Sequence, residues 1–330
     1  MKRIVILIFA VIIVLGLVSC NTNSLEEYKN AAKKTDEIKK GQALAEFSLN
    51  MKFNSEVLTE EEIKSLNYIE NMKGTFNAIY DEEEKKSIFK NYMNFGGLGF
   101  DFNIYENGDD VIIKLPIVGK YVNVNQIKNS TTIEHEDFEK EIISNETKEE
   151  IMKTWIGLMN EEDVFKGKDI ILTTPDGEVK TTEYTINLTN EQIKMLATKC
   201  VEIISKDNSL KQTFEKYIKM NLEDQDYISF EEIVNNIKDN IDIYNVEGFN
   251  YTALVDIDGY IVSENMNFEL KAIDPDFVLE KIDYNLDIKN WNINKSQYFD
   301  FPVVTEENMY NIDDLDENMP NNVEDFLKNN

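Results

Sequence analysis

His135 is the only histidine in the sequence, so any Ser-His-Asp or Cys-His relay has one base to be built around. The run His135-Glu136-Asp137-Phe138-Glu139 lacks the second histidine of a zinc-binding helix and reads as solvated surface. Cys200 falls on the apolar stripe of a helical stretch with no basic residue in view, which describes a buried thiol rather than a nucleophile. Gly96-Gly97-Leu98-Gly99 hints at a phosphate loop, but the residues after it alternate like a strand where a dinucleotide site needs a helix. Asp256-Ile257-Asp258-Gly259 has the centre of a calcium loop. Aligning Gly259 with the loop glycine puts Leu254 and Asn265 at ligand positions they cannot serve, so a hairpin turn is expected. Asp and Glu number 63, so many that no glycosidase-type pair stands out among them. These residues predict a protein that is not an enzyme and uses no metal and no cofactor.

The strongest single feature is at the N-terminus. Lys2 and Arg3 precede an unbroken apolar run from Ile4 to Val18, closed by Ser19 and Cys20. Charge, short apolar run and a small residue before the cut make a signal peptide. The run is shorter than the ~20 residues of a spanning helix. Leu17-Val18-Ser19-Cys20 resembles the lipobox of bacterial lipoproteins. That resemblance implies cleavage after residue 19, a diacylated Cys20 as the mature N-terminus, and membrane attachment on the extracytoplasmic face. The abundance of Asn, Ile and Lys fits a low-GC Gram-positive source, hence the outer face of the cytoplasmic membrane.

The charge bears this out in its own way. A formal net charge of -29 repels phosphates, so no nucleic-acid partner is expected, and it keeps the body off anionic lipid. The acyl chains would therefore hold a body that the surface itself does not attract. With Cys20 taken by lipid, Cys200 has no partner and the exported fold has no disulfide. A hydrophobic content of 42%, with 11% aromatic, is enough to build a core instead.

The elements that would position a site alternate between strand and helix patterns. Residues 20–42 are expected to form a tether and a mostly solvated helix ended by Gly41. Period-two alternation then marks strands at Phe47 to Phe53, Phe76 to Tyr80, Ile88 to Phe95, Leu98 to Ile104, Val111 to Leu115 and Lys120 to Val124. Short turns between them, Glu106-Asn107-Gly108-Asp109 the clearest, predict an antiparallel meander. Helices are predicted at Glu134 to Ile143, after a capping box at Thr147, after Thr189 and after Ser229, with a break near Asp207-Asn208. Between and after them, strands are predicted at Asp169 to Leu172, Val179 to Leu188, Asn250 to Asp256, Tyr260 to Leu270 and Phe277 to Ile288, with a final edge at Phe299 to Pro302. Residues 313–330 form an acidic, Asn-rich tail. The fold class is therefore α+β with long antiparallel runs, one domain spanning 43–312.

The pattern of signal, lipid cysteine, N-terminal helix and meander resembles the LolA-like lipoproteins. The stretches that carry it are Asn107-Gly108-Asp109 with Lys114-Leu115-Pro116, Thr182 to Ile186, Val255 to Tyr260 and Phe299-Asp300-Phe301-Pro302. The resemblance spans about residues 44–303 and implies a strongly curved antiparallel half-barrel covered by helices, carrying an apolar ligand. Alternation puts Phe47, Leu49, Met51, Phe53, Phe76, Tyr80, Phe100, Phe102, Ile104, Val111, Ile113 and Leu115 on one face as its expected wall. Trp155, Leu158 and Met159, on a helical stripe, are the expected lid. The expected partner is a lipid or acyl chain held by a monomer. The alternatives are an envelope scaffold or sensor that binds a protein with a fully packed core, a carboxylate-based hydrolase, or a transporter's solute-binding protein.

Overall fold

The structure is a computed structural model that describes residues 24–115, 119–124, 143–221 and 229–310. Cys20, the signal stretch, His135 with its expected helix and the acidic tail lie outside the described residues.

Eleven antiparallel strands form one open sheet in the order β6-β5-β4-β3-β2-β1-β11-β10-β9-β8-β7. The first meander comprises β1 (Lys40–Phe53), β2 (Asn71–Asp81), β3 (Lys86–Phe95), β4 (Leu98–Asn107), β5 (Asp110–Lys114) and β6 (Tyr121–Asn123). The second comprises β7 (Val164–Thr174), β8 (Gly177–Ile186), β9 (Tyr244–Asp256), β10 (Ile261–Ala272) and β11 (Leu279–Trp291). The two meanders join where β1 pairs with β11 from Gln42↔Trp291 to Phe53↔Leu279. Long antiparallel runs with helices to one side make this an α+β half-barrel, as the sequence predicts.

Six helices are described: α1 (Ser24–Asp36), α2 (Glu60–Leu66), α3 (Asn145–Leu158), α4 (Asn190–Ile204), α5 (Asn208–Asn221) and α6 (Phe230–Asn240). Capping boxes start α2 at Thr59 with Glu62, α4 at Thr189 with Gln192, and α6 at Ser229 with Glu232. The start of α3 differs from expectation. Ser144, not Thr147, is its N-cap, and Thr147 is buried in the first turn.

Register settles which side chains share a face. Phe47 opposes Gly74, Gly74 opposes Met93, and Met93 opposes Phe100. One residue pair along, Ala45 opposes Phe76, Phe76 opposes Asn91, and Asn91 opposes Phe102. Leu49, Met51 and Tyr80 fall in the same phase, as do Ile104 and Ile113, which oppose each other. The face continues across the junction, since Phe47 opposes Leu286, Leu286 opposes Met266, and Met266 opposes Tyr251.

The described helices cover only part of it. The core joins α1 (Leu25, Tyr28, Ala31, Ala32) and Met159 to Val164, Tyr184, Ile186, Tyr251, Ala253, Val255 and Ile261 on β7 to β10. The described helices pack on β7, β9 and β10. α1 is therefore not the mostly solvated helix the sequence predicts, because its buried stripe, Leu25, Tyr28, Ala31 and Ala32, relies on two alanines and a tyrosine beside a single large aliphatic. Phe47 stacks on Phe76 at 5.8 Å between centroids and covers Gly74, where an added Cβ would come within 2.4 Å of the Phe47 ring.

The opposite face is crossed by the segment after β11. Gln297 hydrogen-bonds Gln42, and at the far edge Tyr121 donates its backbone N–H to Asn308 and accepts from Tyr310. Phe299 to Pro302 is therefore not an edge strand. β11 already has strands on both sides, so the chain leaving it passes over the sheet and meets the far edge in a single parallel bridge, Met309 to Tyr121.

Candidate functional site

A cavity of about 460 Å³ lies between α1, α3 and α4 and the helix-bearing face of β9 and β10. Met152, Trp155, Leu196, Phe249, Ile261 and Met266 supply an apolar lining, and Tyr28, Thr35, Asp36, Tyr251 and Glu264 supply the polar groups.

Each wall is held by contacts the sequence sets up. α1 is clamped at both ends. Near its start Glu27 pairs with Lys166 of β7 at 2.8 Å and accepts from the Tyr184 hydroxyl at 2.6 Å. Near its end Thr35 Oγ1 accepts from the Ile261 N–H at 2.8 Å, Lys34 donates to the Asp258 carbonyl, and the ammonium sits over the Tyr260 ring at 4.4 Å. The loop Lys34 grips is the hairpin Asp256 to Gly259. There Gly259 takes φ +85°, and the Tyr260 N–H binds Asp256 Oδ1 at 2.8 Å. Among the described residues no group of three or more His, Cys, Asp or Glu is placed to hold a metal ion.

α3 and α4 are tied by Gln192, which donates to Asp163 Oδ2 at 2.7 Å and to the Leu158 carbonyl at 3.3 Å. Asp163 is buried and also accepts the Asn160 N–H at 2.7 Å. At the other end of α3 the buried Asp207 accepts the Ser144 N–H and hydroxyl, each at 2.9 Å. These two carboxylates hold Met152 and Trp155 over the sheet.

The polar groups form one directed chain. An indole N–H can only donate, and an ionised carboxylate can only accept. Trp155 Nε1–H therefore donates to the Tyr28 hydroxyl at 3.0 Å, Tyr28 donates to Tyr251 at 3.2 Å, and Tyr251 donates to Glu264 Oε1. The rings pack as well, with centroids 6.2 Å apart for Tyr28 and Tyr251 and 5.3 Å for Trp155 and Tyr251. Burial pushes Tyr28 up to about 12 despite the bonds from Tyr251 and Trp155. Burial also drives Tyr251 well above the ordinary tyrosine value, aided by the charges it faces. Glu264 is raised by burial, against which its bond to Tyr251 acts. All three stay protonated or neutralised more readily than they would in water.

Of the residues expected to form a wall, none on the first meander lines this cavity. Phe47, Leu49, Met51, Phe53, Phe76, Tyr80, Phe100, Phe102, Ile104, Val111, Ile113 and Leu115 are half-buried beside it on the same sheet. Of the expected lid, Trp155 lines the cavity, Met159 is buried in the adjoining core, and Leu158 is half-buried at the end of α3. Sequence reading missed Tyr28, Leu196, Tyr251 and Glu264. Two signals were present. Tyr28, Ala31, Ala32 and Thr35 recur at helical spacing, and Glu264 sits in phase with Met266, Phe268 and Leu270, a charge at an inward strand position. Cys200 is a half-buried thiol that burial pushes up, which suits packing rather than nucleophilic attack.

No protein-family model matches this sequence, and no curated protein does. Two solved structures are similar over most of the chain. One is a DUF1329 family protein from Desulfovibrio piger, at 9% identity over 84% of this chain and 96% of that one, with a TM-score of 0.18. The other is a beta-barrel-like protein of domain of unknown function DUF1849 from Brucella abortus, at 10% identity over 77% and 100%, also with a TM-score of 0.18. Similarity at that score carries no argument, and the fold stands on the strand register itself. Among the described residues no helix is long and apolar enough to cross a membrane.

Proposed function

We propose that this protein is a non-enzymatic lipoprotein that carries or senses an apolar ligand, a lipid or acyl chain, on the outer face of the cytoplasmic membrane. The observation that carries the reading is the cavity between α1, α3, α4 and β9–β10. Its volume of about 460 Å³ is within the ~300–1,000 Å³ of ligand sites. Met152 and Met266 both line it, and methionine adapts its shape to a changing apolar guest. The LolA-like pattern of the sequence supports the same use, and Cys20 supplies the anchor.

Two experiments test it. Native mass spectrometry of the mature chain with Cys20→Ser, purified gently, is expected to show a co-purifying lipid. Leu196→Trp, which pushes an indole into the cavity, is expected to abolish that adduct while changing stability by less than the ~1–3 kcal/mol typical of overpacking a filled core. A bare parent protein, together with a large fall in melting temperature for the variant, would leave the protein-binding scaffold as the better reading. For the anchor, Cys20→Ala is expected to move the protein from the detergent phase to the medium or to stall its processing. Unchanged partitioning would remove the lipoprotein part of the proposal.

A further inference from the structure

We propose that the ligand is a cationic amphiphile, an alkyl body with an ammonium head, bound with the head at Glu264. This deepens the apolar-carrier reading and rests on it.

Among the described residues, Glu264 is the only carboxylate that the sheet presents to the cavity. Its cross-strand neighbours are Ala253 on β9 and Ile288 on β11, both without charge. Among the described residues no Lys or Arg forms an ion pair with it, and Tyr251 is its one hydrogen-bond partner. A carboxylate accepts about four hydrogen bonds, so most of its capacity faces the cavity unused. An apolar guest alone would leave that group desolvated and unpaired, a costly arrangement. A donor head on the guest converts the cost into a charge-assisted bond.

The surroundings select the sign of the head. The donor chain from Trp155 through Tyr28 and Tyr251 aims its protons at Glu264, which supports negative charge there. Asp36 stands at the rim, and the chain as a whole carries -29, so the field draws cations in and turns fatty-acid anions away. Trp155 and Tyr251 line the cavity together with the carboxylate, and aromatic rings are favourable neighbours for an ammonium. Burial raises Glu264, and an adjacent ammonium would hold it ionised.

The test compares decylamine, 1-decanol and decanoate, below micellisation, at neutral pH and physiological salt. Binding to the mature chain with Cys20→Ser is read by Trp155 emission and by calorimetry. The second tryptophan, Trp291, lies on the other sheet face against Gln42, and Trp291→Phe removes its emission from the reading. Decylamine is expected to bind about 10-fold or more tighter than 1-decanol, a gap of ~1.4 kcal/mol, with decanoate weakest. Glu264→Gln should bring decylamine level with 1-decanol and leave 1-decanol unchanged. Glu264→Asp, which keeps the charge one methylene further back, should keep part of the preference and covers the case in which the Gln variant does not fold. Equal binding of amine and alcohol, or an amine preference that survives Glu264→Gln, overturns the inference and leaves the apolar carrier standing. Failure of all three probes to bind overturns both.

Discussion

Tyr28→Ala is expected to destabilise the protein by about 3–5 kcal/mol, as removal of a fully enclosed aromatic ring does. Tyr28 is 1% exposed, at the centre of the cluster that joins α1 to β8 and β9. Its ring lies 6.5 Å from that of Tyr184 and 6.2 Å from that of Tyr251, so truncation removes packing on two strands at once. It also strips the Trp155 N–H of its acceptor and Tyr251 of a donor. Tyr28→Phe separates the two contributions. It keeps the ring and deletes the hydroxyl, and is expected to lose about 1–2 kcal/mol, the range for a buried group left unpaired. Combining it with Trp155→Phe should cost less than the sum of the single changes, since both variants break the same bond. Urea unfolding with Trp emission measures all of these. A Tyr28→Ala protein as stable as its parent would mean that α1 does not hold the sheet as described.

The same residue has an alkaline signature. Its folded value of about 12 lies above the ordinary tyrosine value of 10.0. Between those values the folded protein keeps a proton that the unfolded chain gives up. Stability is therefore expected to be full below pH 10 and to fall as pH rises toward 12, and Tyr28→Phe should flatten that fall.

How much of this was legible in the sequence follows from the range of each signal. Hairpins declare themselves locally, so Asn107-Gly108 and Asp258-Gly259 gave their turns and fixed the strands around them. Capping boxes are local too, and Thr189 and Ser229 each start the helix expected of them. The face shared by Phe47, Leu49, Met51, Phe76, Phe100, Phe102 and Ile104 was readable because alternation carries through an antiparallel meander without change of phase. Which part of that face receives helices was not readable. It depends on β1 pairing with β11 across more than two hundred residues, and no local pattern encodes that pairing. The cavity therefore formed over β9 and β10, while Phe47 and Phe76 closed over their own strands.

Two further differences have the same origin. β9 begins at Tyr244 rather than Asn250, because β10 pairs with it along its whole length to Ala272↔Tyr244, through a bulge that hides the alternation. At α3, Thr147-Lys148-Glu149-Glu150 is the better capping box in isolation, yet the helix starts at Ser144. What decides is Asp207, 63 residues later, whose carboxylate binds the Ser144 N–H and hydroxyl.

Asp207 gives the second large prediction. It is 4% exposed, and its two oxygens serve two helices. Oδ1 accepts the Leu210 N–H at 3.0 Å and so caps α5, while Oδ2 binds Ser144 and fixes the start of α3. Asp207→Ala is expected to cost about 2–4 kcal/mol, the sum of a lost cap and charged hydrogen bonds whose buried donors go unpaired. Burial alone would raise this carboxyl. The bonds from Leu210, Thr147 and Ser144 outweigh it and hold the group well below the usual carboxylate range. A depressed folded value means that the contribution is complete above the ordinary value of 3.8 and is lost as pH falls through the folded value. The gap in stability between parent and Asp207→Asn, which keeps one acceptor and cannot titrate, should therefore be constant near neutrality and shrink below pH 4. Because α3 carries Met152 and Trp155 over the cavity, Asp207→Ala should also loosen the cavity wall and shift the Trp155 emission to longer wavelength under conditions where the sheet remains folded. An unchanged stability gap down to pH 2 would show that the Ser144 and Leu210 bonds do not hold the charge. An unshifted emission would show that α3 is seated by its own packing instead.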